Sequence, residues 1–173
     1  MQNWKDLYER SKIVNDDKGF DGKYSVLSNF YTLCHPIVLE LPLTSTFGDE
    51  PQKKYEFYTA EAAFQACKTL DAEMIEKISK SSPGKAKRLG RKVELRTDWE
   101  SIKDQVMKDI LFSKVAVCPE FKKMLKNIPE DMYIVEMNYW HDTYWGVCSK
   151  TFQGRNKLGE ILMEIRGLLQ CQK

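Results

Sequence analysis

Residues 58–68, YTAEAAFQACK, place an acid, an amide and an amine in a short run of small apolar residues. Thr59 is a suitable N-cap and Glu61 falls in the first turn, where a negative charge favours a helix. The spacing therefore predicts a helix over 60–70. At roughly 100° per residue, Glu61, Phe64, Gln65 and Lys68 share one stripe about 100° wide, while Ala62, Ala63, Ala66 and Cys67 fall opposite. Small residues let the back of a helix approach another element closely. Two readings of the polar stripe are open. Charged rows on helices are usually solvated, which makes this a surface helix. A helix packed closely along its back can instead turn the stripe toward a cavity.

Working outward, further helices are expected over 71–80 and from Ser82-Pro83, with proline at the first helical position, to about Gly90. Thr97-Asp98-Trp99-Glu100 matches a capping box and predicts a helix to about Val117, with Ile102, Val106, Ile110 and Val117 on its apolar side. Pro119 opens a short helix through Asn127. A last helix covers about 156–169, where Leu158, Ile161, Leu162, Ile165, Leu168 and Leu169 recur at helical spacing. Strands are expected at PIVLEL (36–41), KYEFY (54–58) and YIVEM (133–137), and a short strand running into a loop over FDGKYSVLSNFY (20–31). The turn-rich residues 42–54 suit a surface hairpin loop. Residues 1–12 suit a short helix or arm, within an N-terminal segment 1–19 ahead of a domain over 20–173. Helices dominate, so the fold class is mainly α in the α+β sense, one compact domain with a few short strands.

The composition narrows the function classes. With 173 residues and a net charge of +2, no strong global field draws the chain to nucleic acid or membrane, so any nucleic-acid binding must come from a local patch. No run of 18 apolar residues exists, and MQNWKDLYERSK lacks the apolar core of a signal peptide. Both imply an intracellular, cytoplasmic protein without a membrane partner. The five cysteines are odd in number and form no CxxC pair, which implies free thiols in a reducing compartment. His35 and His141 do not stand at ligand spacing with two cysteines, so no metal is expected, and no cofactor.

Four segments combine aromatic and polar residues beyond what packing needs: SNFY (28–31), the opening helix, SPGKAKRLGRKVELRTDW (82–99), and 136–156, which ends in GRN. The third carries Lys85, Lys87, Arg88, Arg91 and Lys92, which can hold a phosphate near a helix start or form a solvated basic face. The fourth sets Trp140, Tyr144 and Trp145 around Asp142. Such aromatic walls suit a planar base or a sugar, or cap the core. Cys34-His35 is a poor nucleophile pair, because neighbours in a strand point to opposite faces.

Taken in order, SNFY (28–31), YTAEAAFQACK (58–68), AKRLGRKVELRTDW (86–99), VEMNYWHDTYWG (135–146) and GRNKLGEILMEIR (154–166) resemble the NADAR superfamily, whose best-known members are the YbiA-like N-glycosidases. The resemblance implies a compact, mainly α fold and cleavage of a ribosyl C1–N bond. YbiA-like members act on phosphorylated, ribosylated amino-pyrimidine intermediates of riboflavin synthesis. Other members remove ADP-ribose from guanine in DNA or RNA. The implied partner is therefore ADP-ribosylated guanine in nucleic acid, or a small ribosyl phosphate.

By matched position, the resemblance implies that Glu61, Lys68 and Asp142 are catalytic. It places Asn29, Phe30, Tyr31, Gln65, Arg88, Arg91, Trp99, Trp145, Gly146 and Asn156 against substrate. Arg88 or Arg91 would hold phosphate, and Trp99 and Trp145 would stack on the base or wall the pocket. Two mechanisms are open. In one, Lys68 attacks C1 of an opened ribose and forms a Schiff base, with Glu61 or Asp142 moving protons. In the other, a carboxylate activates water against a closed, oxocarbenium-like ring. Two departures stand out. Ala62 stands where many relatives have histidine, on the side away from the Glu61/Lys68 stripe. Cys148 stands where relatives often have glycine. A non-catalytic ADP-ribose-binding module is the reading from another class, and the joint presence of Glu61 and Lys68 argues against it.

Overall fold

The computed structural model describes residues 2–15, 19–42 and 52–171. The chain divides into two compact units. One is Asn29–Cys118; the other joins Met1–Ser28 to Pro119–Lys173. Helices dominate both, and strands occur only as short pairs, so the architecture is mainly α in the α+β sense. Most of the predicted hairpin loop, residues 43–51, lies outside the described residues.

The unit Asn29–Cys118 opens with an antiparallel hairpin, β2 (Ile37–Leu41) and β3 (Lys53–Phe57), in which Ile37 pairs with Phe57 and Leu41 with Lys53. (The two-residue strand β1, Ile13–Val14, precedes it in the other unit.) Ile37, Leu41, Tyr55 and Phe57 are buried. Helix α2 (Ala60–Ala66) packs against α3 (Ala72–Ser79), α4 (Pro83–Gly90), α5 (Trp99–Val117) and both strands. Every residue from Ala60 to Cys67 is buried, including Ala62. The surface-helix reading of the opening stretch is therefore wrong. The helix also stops four residues short of the expected end. The Lys68 carbonyl takes the backbone N–H of Arg96 at 2.9 Å, and the Thr69 hydroxyl takes that of Asp71 at 3.2 Å. Asp71 then caps α3 through Glu73 and Met74 N–H.

The capping box expected at 97–100 is absent. The N-cap of α5 is Asp98, and its carboxylate makes no cap bond because Arg96 occupies it through Nε (2.5 Å) and Nη2 (2.9 Å). A guanidinium fork on a carboxylate outcompetes a single cap N–H.

Helix α5 also buries a residue that its apolar pattern hides. Lys114 is wholly buried, with its ammonium 5.7 Å from the centre of the Tyr31 ring. Burial lowers its pKa to about 7, against a smaller opposing pull from Cys118. The unfolded chain then holds more protons than the folded one from about pH 7 upward, so stability should rise with pH there, by up to about 1.4 kcal/mol per pH unit for one proton. Urea unfolding at about pH 7 and about pH 8.5 should show this rise, and Lys114→Met should flatten it. Above that window the buried Cys67 thiol, pushed up to about 12, works in the opposite direction.

In the other unit, α1 (Trp4–Glu9) is capped by the Asn3 side chain on Asp6 N–H. β1 pairs in parallel with β4 (Tyr133–Ile134), and β5 (Met137–Asn138) pairs in parallel with β6 (Val147–Cys148). The expected strand YIVEM is thus two short strands. The break falls where Glu136 N–H turns to the side chain of Asn156 (3.1 Å) and Met137 N–H to Val135 O (3.0 Å). The strand expected near residue 20 is replaced by a 3-10 turn at Ser25–Leu27. Trp4, Val135, Met137 and Val147 form a core cluster. Helix α6 (Pro119–Asn127) has the expected bounds and α7 (Lys157–Cys171) follows the expected periodicity, with one correction: Leu168 is 48% exposed, while Arg166 is buried. Arg166 earns that place by donating to the carbonyls of Pro129 (2.8 Å), Met132 (2.6 Å) and Glu130 (3.1 Å). All five cysteines are free thiols. No helix among the described residues is long and apolar enough to cross a membrane.

Candidate active site

The N-terminus of α2 fixes Glu61 twice. Thr59 Oγ1 accepts Ala62 N–H at 3.1 Å, and the backbone N–H of Glu61 itself donates to Asn29 O at 2.9 Å. The side chain is only 6% exposed, and its Oε1 accepts Gln65 Nε2 at 2.9 Å. In this orientation the Gln65 amide donates to Glu61, as it can whether the carboxyl is ionised or protonated. Gln65 Oε1 is left buried without a partner, as is Asn29 Oδ1, whose Nδ2 donates to Met107 Sδ at 3.5 Å.

Lys68 sits in the turn after α2. Its Nζ lies 5.5 Å from the centre of the Phe64 ring and 5.8 Å from that of Trp99. The two rings are 5.1 Å apart and tilted by 58°, so together they form an aromatic wedge for the amine. Burial lowers the Lys68 pKa most. Glu61 opposes this, while Lys87 and Arg91 push the same way as burial. Burial likewise raises the Glu61 pKa, against Lys87, the Gln65 bond, Lys68 and Arg91. Burial therefore works against the charged form of each group, while each group's charge favours that of the other.

Close helix packing holds this arrangement. A Cβ on Gly90 would stand 1.9 Å from Gln65 Oε1 and 2.9 Å from Gln65 Cβ. Gly90→Ala should cost about 1–3 kcal/mol of stability despite its better helix propensity, and should cut turnover by displacing the amide that holds Glu61. Gly84→Ala is the control, because a Cβ there meets nothing within 4 Å. Thermal melts and activity of the two variants check this.

Behind Lys68, Arg96 acts as a brace. Its N–H bonds Lys68 O (2.9 Å), its carbonyl takes Trp99 N–H (3.1 Å), and its guanidinium grips Asp98. One residue therefore ties the turn carrying the amine to the start of the helix carrying its aromatic wall.

The loop cluster in the other unit is built from local bonds. Asp142 Oδ1 accepts the N–H groups of Tyr144 (3.1 Å) and Trp145 (2.9 Å), which shapes the turn that carries the two rings. Asn138 clamps Asp142 by bonding both its N–H (3.0 Å) and its carbonyl (2.8 Å). Gly146 allows a backbone approach that a Cβ would block, standing 2.3 Å from Glu136 O. Asn156, fully buried at φ 55°, bonds Glu136 N–H and Ile134 O. Cys148 lies in β6, with Sγ 3.2 Å from His141 Nδ1.

A family model for the NADAR domain matches residues 17–170. The chain belongs to the NADAR family. N-glycosidase YbiA of Escherichia coli is 37% identical over 118 residues, 66% of this chain and 72% of that protein. Its NMR structure superposes with a TM-score of 0.70 at 31% identity, over 99% of this chain and 88% of the other. An N-glycosidase of Nostoc punctiforme is 32% identical over 114 residues, 62% of this chain and 71% of it. The chloroplastic riboflavin biosynthesis protein PYRR of Zea mays is 29% identical over 156 residues, 83% of this chain but 23% of that protein.

Within this NADAR chain, the residues expected at the site fall into two groups. Glu61, Gln65, Lys68, Trp99 and Arg91 converge in the unit Asn29–Cys118, where Asn29 meets α2 through its backbone and Phe30 lies under Lys87 at 5.5 Å. Tyr31 faces Lys114. Asp142, Trp145, Gly146 and Asn156 share the other unit. Arg88 is exposed, and it is Lys87 that joins Arg91 in acting on Glu61. The sequence reading placed Lys87 only within the general basic run, choosing Arg88 and Arg91 from it, and missed Arg96. Gly90 held the available signal for Lys87: a glycine inside a helix marks a face of close approach, and Lys87, three residues earlier, neighbours it on that face.

Proposed function

We propose that this NADAR protein is an N-glycosidase that hydrolyses the bond between C1 of a ribose and an exocyclic nitrogen of a guanine-like base. Lys68 is the nucleophile and Glu61 the proton shuttle. The observation that supports this most is the Lys68 amine, held on the faces of Phe64 and Trp99 with a lowered pKa, on the same polar stripe as a buried acid.

Glu61 donates a proton to the ribose ring oxygen. The C1–O bond opens, and the lone pair of the exocyclic nitrogen forms a C1=N iminium. The neutral Lys68 amine adds to C1. The base nitrogen takes a proton and leaves with the electrons of its bond to C1, so that C1 is doubly bonded to Lys68 Nζ. Water adds to C1, the lysine departs as an amine, and the sugar closes again. Trp99 and Phe64 keep the amine out of bulk water, where it would be protonated.

The favoured substrate is ADP-ribosylated guanine in nucleic acid, with free ADP-ribose and guanine as products. The alignment of 83% of this chain with the maize riboflavin biosynthesis protein favours a second reading, a phosphorylated ribosylamino-pyrimidine. Purified protein, with EDTA present, should be offered an oligonucleotide bearing ADP-ribosylated guanine, and the pyrimidine in a parallel reaction, with products separated by chromatography. ADP-ribose release with regenerated guanine is the expected result. Turnover of the pyrimidine alone would move the substrate to the second reading, and turnover of neither would remove the proposal.

A further inference from the structure

The cations of α4 divide between two sides. Lys87 and Arg91 act on Glu61. Lys85 and Arg88, spaced i and i+3, lie on a second side of α4, Lys92 follows in the turn just past its C-cap, and all three are exposed. No acidic residue occurs between Lys80 and Val93. A helix face that is merely solvated usually interleaves both signs of charge, and this one does not.

Ser82, the N-cap of α4 and three residues before Lys85, lines a cleft of about 550 Å³ bounded by β3 and α3. Ser79, Ser81 and Ser82 supply hydroxyls to it, and Tyr55 and Tyr58 supply rings. Lys53 and Lys80 share one carboxylate, Glu76, at 2.8 and 2.6 Å. With Lys54 and Glu56, the lining holds three lysines against two glutamates. Its ion pairs are solvent-exposed, and such pairs are weak enough to exchange for phosphate. Two aromatic rings reach solvent beside the reactive helix: Tyr58, 48% exposed and three residues before Glu61, and Phe30, 40% exposed and next to the Asn29 that bonds Glu61.

We infer that these exposed cations and the cleft bind the sugar-phosphate backbone of a single-stranded nucleic acid, with Tyr58 stacking a base near the modified one. This rests on the nucleic-acid reading of the proposed function. A cationic row beside solvent-facing aromatics is the combination that single strands engage. A duplex would keep the exocyclic nitrogen of guanine within its paired stack.

The test compares two substrates with the same reacting bond: a single-stranded oligonucleotide with one ADP-ribosylated guanine, and ADP-ribosylated guanosine alone. Lys85→Gln/Lys92→Gln should raise KM for the oligonucleotide roughly tenfold. It should also make the salt dependence of kcat/KM shallower by about 1.4 in log–log slope, for two lost phosphate contacts. Kinetics on the nucleoside should stay as in wild type. Unchanged oligonucleotide kinetics in the variant would overturn the inference. If wild type turns over neither substrate, the proposed chemistry fails separately. The surface is then judged by fluorescence anisotropy with an unmodified oligonucleotide, where equal affinity of variant and wild type would overturn it.

Discussion

Lys68→Ala should lower turnover by more than roughly a thousandfold while leaving the fold in place. The side chain lies in the turn after α2 with its amine on the two ring faces, and removing it gives back the desolvation cost of a half-buried ionisable group while losing that contact. The melting curve should therefore move little. Lys68→Arg separates the two jobs the residue can have. If Lys68 only held a phosphate, arginine would serve as well or better. As a nucleophile arginine cannot serve, because its guanidinium does not lose its proton. Both variants should be inactive, and activity in Lys68→Arg would assign the residue to binding.

Glu61→Gln should lower turnover by about 10²–10⁴, the range for a lost general acid. The amide is nearly isosteric and its oxygen can still accept from Gln65 Nε2, so the Gln65 geometry survives. Stability should hold or improve, since a buried ionisable carboxyl is exchanged for a neutral group. Steady-state kinetics with a thermal melt of the same preparation checks both halves. Full activity in Glu61→Gln would leave the proton shuttle without its residue.

What the sequence makes legible follows from which forces are local. Helices α4, α6 and α7 end close to where caps, prolines and apolar spacing put them, because those signals act within a turn or two. The α5 capping box fails because Arg96, two residues before Asp98, takes the carboxylate, a competition that depends on how the chain turns rather than on the motif. YIVEM breaks in two because Asn156, twenty residues later, claims Glu136 N–H. Lys114 looks like a solvated helix residue until the fold buries it beside Tyr31.

The site divides in the same way. Glu61, Gln65 and Lys68 emerge from helical phase within one short stretch, and the burial of Glu61 and Gln65 shows that their stripe is not a solvated face. The roles of Lys87 and Arg96 do not emerge, since their effects cross from one element to another. Adjacent basic residues on α4 point about 100° apart, and the close approach of Gly90 to Gln65 is what sets Lys87, three residues before it, rather than Lys85 or Arg88 toward Glu61.

The central claim is that Lys68 bonds covalently to the ribose C1. Turnover in the presence of borohydride, followed by peptide mass spectrometry, tests it most directly. The predicted result is a reduced sugar adduct on Lys68, absent from Lys68→Arg, with activity lost in step with adduct formation. Continued turnover in borohydride with no adduct on any lysine would contradict it, and would assign the reaction to water attacking a closed ribose ring.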